Sequence, residues 1–310
     1  MSTYQSLIIT PVKYENKYLN EYIEHYRNLG FTKMLIIDNN DSTGDYAEDI
    51  YDIIDANDNF IDVINKKDLY FNHNQLLKET YLNNYINYDF ICFFDVDEFL
   101  ELDEKYNNNI NNYFDEDWCQ TNECILINWD CFGFNNLTYY ENKPLNERFT
   151  QRINDYYNNQ TKIIVNCNNL KENIQGLEYT HKIKCDKICK GDGTIVRNIN
   201  DILQFSNNIT NIKLKHFIFK SIEEFLFKRC IKNNQDHLYS PNTHLVNLYC
   251  FNKELSNEQL DYIYNYINKF DDEFLFNEFK KLILDIYLDS NDIRKRYIEN
   301  TYMIPLNLTY

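Results

Sequence analysis

The segment from Asp89 to Leu100, DFICFFDVDEFL, constrains the fold more than any other part of the sequence. Its apolar run, residues 90–94, is short, continuous and aromatic-rich, which indicates a strand buried on both faces of a sheet. Asp95, Asp97 and Glu98 follow the run directly. Because ligands of open α/β sheets bind just outside the carboxyl ends of the strands, these acids are expected at a binding site.

Carboxylates crowded at a strand end repel one another, and a divalent cation relieves that repulsion. Hard oxygen ligands suit Mg²⁺ or Mn²⁺, ions that usually also hold the phosphates of a bound substrate. Asp95 and Asp97 alternate along an extended chain, but a turn at the strand end brings both to one ion. The sequence therefore predicts a divalent-metal site here, with a strand end capped by solvated acids as the alternative.

Composition limits the classes of partner. The 310 residues are 44% hydrophobic, enough for one large domain or two ordinary ones. The formal net charge of −17 argues against nucleic acid or an anionic membrane as the main partner, because binding phosphate backbones needs clustered cations. A small phosphorylated ligand held by a metal and a few lysines is compatible with this charge.

The cysteines and the N-terminal segment predict a cytoplasmic protein. Nine cysteines, an odd number without a C-x-x-C pair, are typical of free thiols in a reducing compartment. The segment MSTYQSLIIT has no basic region and only a brief apolar run, so no signal peptide is predicted. No segment approaches the ~18–20 apolar residues of a membrane span, so none is expected.

The order of the predicted elements indicates an α/β fold. Strands are predicted over residues 6–12, 33–38, 60–65 and 90–94, and helices over residues 16–29, 45–54 and 74–88. This β-α-β-α-β-α-β order is typical of a Rossmann-like, mostly parallel sheet with helices on both faces. Such a sheet gathers Thr10, Asp38 and Asp95 along one edge.

Beyond about residue 233 the sequence predicts only helices, over residues 257–270, 272–288 and 290–300. We therefore expect two domains, residues 1–235 and a small helical extension of residues 236–310. The extension packs on the first domain or forms an oligomerisation surface, so a homo-oligomer is one of the expected states.

Two early segments resemble those of GT-A-fold glycosyltransferases of the family 2-like and family 92 group. Residues 12–44 contain KYE, HY, LG and IDNNDSTG, similar to the group's K-N-E turn, its Y-x-x-L-G helix end and its D-N-x-S-x-D-G strand end. Residues 94–100, FDVDEFL, match its D-x-D-E-F-L. Tyr14 stands where the group has asparagine.

Two later segments extend the resemblance to about three-quarters of the chain. Residues 127–133, INWDCFG, and ERFT at 147–150 are similar to the group's N-W-x-x-F-G and E-R-F. Residues 214–228, LKHFIFKSIEEFLFK, are similar to its N-H-Y-x-x-K-S-x-E-E-F-x-x-K. The sequence departs from the group at Lys215, where asparagine is usual, and at residues 134–136, where serine and glycine are usual.

The resemblance implies a metal-dependent, inverting transferase that moves a sugar from a nucleotide sugar, most often a UDP-sugar, to a hydroxyl of a glycan or glycoconjugate. Breaking the bond to the diphosphate builds negative charge on the leaving phosphate, so stabilising charge there lowers the barrier most. A divalent ion, Mn²⁺ or Mg²⁺, bridging the two phosphates does this as a Lewis acid.

The expected metal ligands are Asp97, which binds the ion directly, Asp95, which reaches the ion or the ribose, and His216, which completes the shell. The nucleotide pocket is expected to involve Thr10, Lys13, Glu15, Asp38 and Gln75, with Asp38 bonding the base or ribose. Lys162 and Lys220 are candidates for offsetting diphosphate charge. Simpler interpretations exist for several of them: a solvated lysine, a helix-flanking histidine or, for Glu15, an acid favoured by the helix dipole.

An inverting transfer needs a carboxylate near the acceptor hydroxyl. Asp130 follows a predicted strand beside Trp129, which serves as a sugar-stacking platform or as core. Glu178 lies further along the chain in GLEYTH. Context favours Asp130 and spacing favours Glu178, so both are kept as candidate bases.

Two alternative functions have to be weighed. A phosphatase of the D-x-D-x-T type is disfavoured because Phe99 replaces the threonine and the motif does not open the chain. A catalytically degenerate nucleotide-sugar-binding or scaffold protein is the other alternative. Metal-dependent binding of a nucleotide distinguishes an intact donor site from a bare scaffold, and product formation distinguishes an enzyme from a binder.

Overall fold

The computed structural model describes residues 3–69, 73–152, 160–173, 185–197, 212–230 and 255–267. The chain divides into two compact units, one of Met1–Phe132 and Asn154–Phe217 and one of Gly133–Ile153 and Ile218–Tyr310. The predicted domain boundary at residues 235 and 236 lies outside the described residues, as do the predicted helices over 272–288 and 290–300.

All strands that the described ranges contain belong to the first unit. They are β1 (Ser6–Val12), β2 (Lys33–Asp38), β3 (Ile61–Asn65), β4 (Phe90–Phe93), β5 (Glu98–Leu102), β6 (Cys124–Cys131), β7 (Thr161–Asn166), β8 (Ile188–Lys190), β9 (Ile195–Val196) and β10 (Ile212–His216).

The helices of the first unit are α1 (Asn16–Asn28), α2 (His73–Asn84), α3 (Ile110–Phe114), α4 (Asp117–Thr121) and α6 (Cys167–Leu170). Those of the second unit are α5 (Leu145–Arg148), α7 (Ile222–Cys230) and α8 (Asn257–Ile267). Among the described residues, no helix has the length and apolar character needed to cross a bilayer.

The sheet has the strand order β3-β2-β1-β4-β7-β6-β10-β5, with β8 beside β6 and β9 beside β8. From β3 to β4 every pairing is parallel, whereas β7 is antiparallel to both β4 and β6. The predicted α/β fold with a mostly parallel sheet is confirmed. Because β1 has β2 on one side and β4 on the other, the strand order reverses at β1, which is where such sheets usually bind ligands.

Helices cover both faces of this sheet. Ile9 of β1 belongs to a core cluster that also contains Tyr81 of α2. Thr10, the next residue, points to the opposite face because side chains alternate along a strand. There the hydroxyl of Tyr22, from α1, lies close to Thr10.

The helix predicted over residues 45–54 is wrong, since only a short 3₁₀ turn, Ile50–Asp52, forms there. The carboxylate of Asp49 accepts a hydrogen bond from Tyr51 N at 3.0 Å and so caps this turn. Local bonding of an Asp side chain to the backbone competes with helix formation.

The second unit has a buried ion pair at its centre. Arg148 of α5 makes two hydrogen bonds to the Glu224 carboxylate of α7, at 2.7 and 3.1 Å. Glu224 also accepts from Ser221 N, while Ser221 Oγ accepts from Glu224 N, which is a capping box that starts α7. The same reciprocal bonds join Ser256 and Gln259, and the helix predicted from residue 257 begins there.

Helix α1 is joined to β5 through backbone groups of that strand. Tyr26 Oη donates to Glu98 O at 2.8 Å and accepts from Leu100 N at 3.2 Å. His25 Nε2 lies 2.8 Å from Leu100 O and must donate to it, since a carbonyl oxygen only accepts. These bonds fix the strand that begins at Glu98.

The bond from His25 predicts a pH dependence of stability. Burial lowers the pKa of His25 from 6.5 to about 4. The contribution of neutral His25 to the free energy of unfolding is therefore complete above pH 6.5. It is lost as the pH falls towards 4, and this loss amounts to roughly 2 to 3 kcal/mol. Urea unfolding of the native protein and His25→Gln, which keeps a donor, should diverge over this window. Parallel curves would contradict the prediction.

Candidate active site

The candidate site lies at the carboxyl ends of β1, β2 and β4. Asp38 is the last residue of β2 and pairs in register with Val12, the last residue of β1. Ile9 of β1 pairs with Phe93, the last residue of β4, and Asp95 follows two residues later. The structure therefore brings the strand ends that carry Thr10, Asp38 and Asp95 to one edge, at the point where the strand order reverses.

The acids form a tight turn between β4 and β5. Glu98 N donates to Asp95 O at 2.9 Å, and Asp95 N donates to the Glu98 carboxylate (Oε2), also at 2.9 Å. Asp97 O accepts from Phe217 N at 3.0 Å, which ties the turn to the end of β10. Asp97 and Glu98 are completely buried, whereas Asp95 is partly exposed.

Lys162 supplies positive charge to these acids. It lies in β7, beside β4, and its side chain is 1% exposed. Its Nζ lies 2.7 Å from Asp95 Oδ2 and 3.4 Å from Glu98 Oε2. Burial lowers the pKa of Lys162, but the charges of Asp95 and Glu98 outweigh this effect and raise the pKa above its usual value. The residue predicted to offset diphosphate charge thus pairs with the acidic turn.

His216 ends β10 and pairs in register with Glu98. Its two ring nitrogens face different acids: Nε2 is 3.6 Å from Asp97 Oδ1, and Nδ1 is 4.0 Å from Glu98 Oε1. The ring of Trp129 packs against the imidazole, with centroids 4.2 Å apart. The structure therefore brings together Asp95, Asp97, Lys162 and His216, and it adds Glu98 and Trp129 to them.

The side chains of the site offer few ligands to a divalent ion. Among the described residues, no group of three or more His, Cys, Asp or Glu side chains is placed to hold a metal ion. Asp97 and His216 form a two-residue set, because the Asp95 carboxylate contacts Lys162 instead. Such a set fits Mg²⁺ or Mn²⁺, which commonly takes one or two protein ligands and completes its shell with substrate phosphates and water.

The edge around the end of β2 is shaped by Asn40. Its side chain accepts from Tyr14 N at 2.7 Å and donates to Asn16 at 3.2 Å, and its backbone N–H donates to Asp38 Oδ1 at 3.1 Å. Tyr14 has a positive φ of 55°, at the position where the sequence departs from the K-N-E pattern. Burial raises the pKa of the Asp38 carboxyl, although Lys67 lies 3.7 Å away.

Four other predicted site residues have the following places in the structure. Glu15 is buried and precedes the first turn of α1, and Lys13 Nζ pairs with Asp41 at 3.2 Å. Gln75 is exposed on α2, where it donates to Glu79 at 2.8 Å. Lys220 belongs to the second unit.

The two candidate bases are placed differently. Glu178 lies outside the described residues. Asp130 was predicted to follow a strand, but it lies inside β6. Consecutive side chains point to opposite faces of a strand, so Asp130 faces away from Trp129 and the His216 ring that Trp129 contacts. It is buried with Oδ2 3.3 Å from Lys213 Nζ.

Sequence reasoning missed the central position of Glu98. Two signals indicated it: an acid followed directly by apolar Phe99 and Leu100, and a lysine within the apolar strand TKIIV. A charged side chain inside a buried strand needs a partner of opposite charge. Nothing local indicated that Lys162 and Glu98 would be each other's partners.

Comparison with known proteins gives structural likenesses only. No family model and no curated protein matches the chain. The structure is similar to that of S. aureus TarS 1-349, with a TM-score of 0.35 and 13% identity over 95% of this chain and 86% of that chain. It is also similar to the galactosyltransferase LgtC in complex with donor and acceptor sugar analogues, with a TM-score of 0.32 and 8% identity over 68% of this chain and 86% of that chain. Likenesses this distant assign no reaction, which has to follow from the residues of the site.

Replacing Lys162 with Met is expected to destabilise the protein by about 3 kcal/mol, because it leaves a buried carboxylate without its cation. Lys105→Met is the control: Lys105 pairs with Glu116 at 2.8 Å but is about half exposed, so a loss below about 1 kcal/mol is expected. Urea unfolding measures both. Equal losses of unfolding free energy in the two variants would contradict the prediction, because the buried ion pair would then matter no more than the exposed one.

Proposed function

We propose that the protein is a metal-dependent glycosyltransferase that uses a nucleotide sugar, a UDP-sugar first of all, and transfers the sugar with inversion to a glycan or glycoconjugate hydroxyl. The observation that carries the proposal is the placement of the acidic turn and His216 where the strand order reverses. In the described part of the chain, the Lys162 ammonium contacts Asp95 and Glu98, and His216 lies next to Asp97. Such a site attracts a cation, and a cation attracts a diphosphate.

Each residue has a defined task in this proposal. Asp97 and His216 hold Mn²⁺ or Mg²⁺, which stabilises the charge that develops on the leaving diphosphate. Lys162 orients the Asp95 carboxylate, leaving its exposed side for the ribose or the ion. Asp38 accepts a hydrogen bond from the base or ribose, and Thr10, Lys13, Glu15 and Gln75 belong to the nucleotide side.

Asp130 and Glu178 are the two candidates for the base that activates the acceptor hydroxyl. Asp130 pairs with Lys213 and faces away from His216, so the geometry argues against it. Glu178 is therefore the first carboxylate to replace. Lys220 is kept as a candidate for diphosphate charge. Seven cysteines among the described residues are free, which supports a reducing, cytoplasmic setting.

The donor site is tested by thermal unfolding against nucleotides and nucleotide sugars, with Mn²⁺ and with chelator. A ligand at ~100 times its Kd adds roughly 2.7 kcal/mol of stability, a readily measured rise in Tm. We expect one UDP-sugar to raise the Tm, with the rise lost on chelation. A rise without turnover would favour the catalytically degenerate binding protein, and no rise with any nucleotide would overturn the proposal.

Asp97→Ala is expected to abolish both metal-dependent UDP binding and transfer, because it removes the buried carboxylate that binds the ion. Exposed Asp186→Ala is the matched control and should bind as the native protein does. Calorimetric titration of UDP with and without Mn²⁺ measures the change. Unchanged metal dependence in Asp97→Ala would show that the donor site is wrongly assigned.

His216→Ala is expected to raise the Mn²⁺ concentration needed for half-maximal activity, since one ligand is lost while Asp97 remains. Activity measured over a Mn²⁺ series gives that concentration. The same requirement in the variant and the native protein would remove His216 from the metal shell.

A further inference from the structure

We propose that Cys124 and Cys185 form a reversible disulfide site, which a peroxide oxidises and a small thiol reduces. Both residues are free thiols in the structure. The proposal does not depend on the proposed function, because neither cysteine belongs to the candidate active site. Disulfides in reducing compartments are generally transient, and many of them sense the redox state.

The backbone brings the two cysteines together. Cys124 begins β6 and pairs in register with Ile188, which begins β8. Lys187 O accepts from Cys124 N at 3.2 Å and from Glu123 N at 2.9 Å. Cys185 directly precedes this segment, so the pairing of β6 with β8 places it beside the start of β6.

The Glu123 carboxylate fixes the chain next to Cys185. Its Oε2 accepts from Asp186 N at 2.7 Å and from Lys187 N at 2.9 Å. The chain bends at Asp186, between Cys185 and the strand. Because these two backbone donors directly follow Cys185, the bonds hold its backbone near the residue that precedes Cys124.

The side chains complete the pairing. Cys124 and Ile188 belong to one core cluster, and Cys185 packs against that cluster. The thiol of Cys185 lies within hydrogen-bonding contact of the Cys124 thiol. Cys189 points to the opposite face of β8, where its Sγ lies 4.0 Å from Trp118 O. Cys124 rather than Cys189 is therefore the partner of Cys185.

The two thiols differ in their access to solvent. Cys124 is completely buried, and burial raises the pKa of its thiol. Cys185 is only half-buried, so an oxidant that arrives from solvent reaches Cys185 first. Cys185 is accordingly the thiol that reacts with the oxidant, and Cys124 is the resolving thiol beside it.

The reaction balances with hydrogen peroxide as the oxidant. The Cys185 sulfur attacks one peroxide oxygen and the O–O bond breaks, which leaves a sulfenic acid on Cys185 and releases water with the thiol proton. The Cys124 sulfur then attacks the Cys185 sulfur, the S–O bond breaks, and the hydroxyl group leaves as water with the Cys124 proton. Two thiols are oxidised to one disulfide while one peroxide is reduced to two waters. A small dithiol restores both thiols by exchange.

Peptide mapping of the native protein tests the proposal. The folded protein is treated with hydrogen peroxide, the remaining thiols are alkylated, and an unreduced digest is analysed by mass spectrometry. We expect a cross-linked peptide pair that joins Cys124 to Cys185 and disappears after treatment with dithiothreitol. A digest without this pair, or with Cys185 joined to a different cysteine, would overturn the proposal.

Two variants separate the roles of the two thiols. Alanine is used because a buried serine hydroxyl would need a partner. Cys124→Ala is expected to trap the sulfenic acid on Cys185, where a dimedone-type reagent labels it, whereas Cys185→Ala should leave Cys124 unlabelled.

Cys189→Ala is the matched control, because it removes a buried thiol from the strand that follows Cys185. It should form the same cross-link as the native protein. Labelling of Cys124 in Cys185→Ala, or loss of the cross-link in Cys189→Ala, would overturn the assignment of Cys185 and Cys124 as the reacting pair.

Discussion

The ion pairs of Lys162 with Asp95 and Glu98 are the interaction on which the rest of the site depends. Completely burying one carboxyl group is costly, and here two are buried next to a third. One ammonium group, itself buried, contacts two of the three. The turn, the end of β10 and the His216 ring are then arranged around these acids.

The sheet determines where the partners of these ion pairs come from. The parallel half, in the order β3-β2-β1-β4, brings the acids to one edge. The second half, in which the β6–β10 pairing is parallel and those of β4–β7, β7–β6 and β10–β5 are antiparallel, brings Lys162 and His216 from distant parts of the chain. The acids and their partners thus come from two differently built halves of one sheet. Arg148 and Glu224 show the same use of a buried ion pair in the second unit.

The strands and the acid-rich turn could be predicted because their signals are local: an apolar run, then carboxylates. The prediction of a helix over 45–54 failed because the Asp49 side chain bonds to the nearby backbone N–H of Tyr51, which hydrophobic periodicity does not indicate. The prediction that Asp130 follows a strand failed because β6 continues through this charged residue to Cys131. The pairing of Lys162 with Glu98 could not be predicted, since it depends on which strands become neighbours, and that is set by the whole sheet.

The antiparallel placement of β7 against β4 has a consequence for folding. Lys162 is 67 residues from Asp95 along the chain, so the acids and their cation meet only after a long loop has closed. A chain truncated before Thr161 would contain the whole parallel half-sheet and its acidic turn, yet no ammonium group to accompany it into the interior. The first half of the protein is therefore expected not to fold by itself, and the site is expected to be completed late in folding.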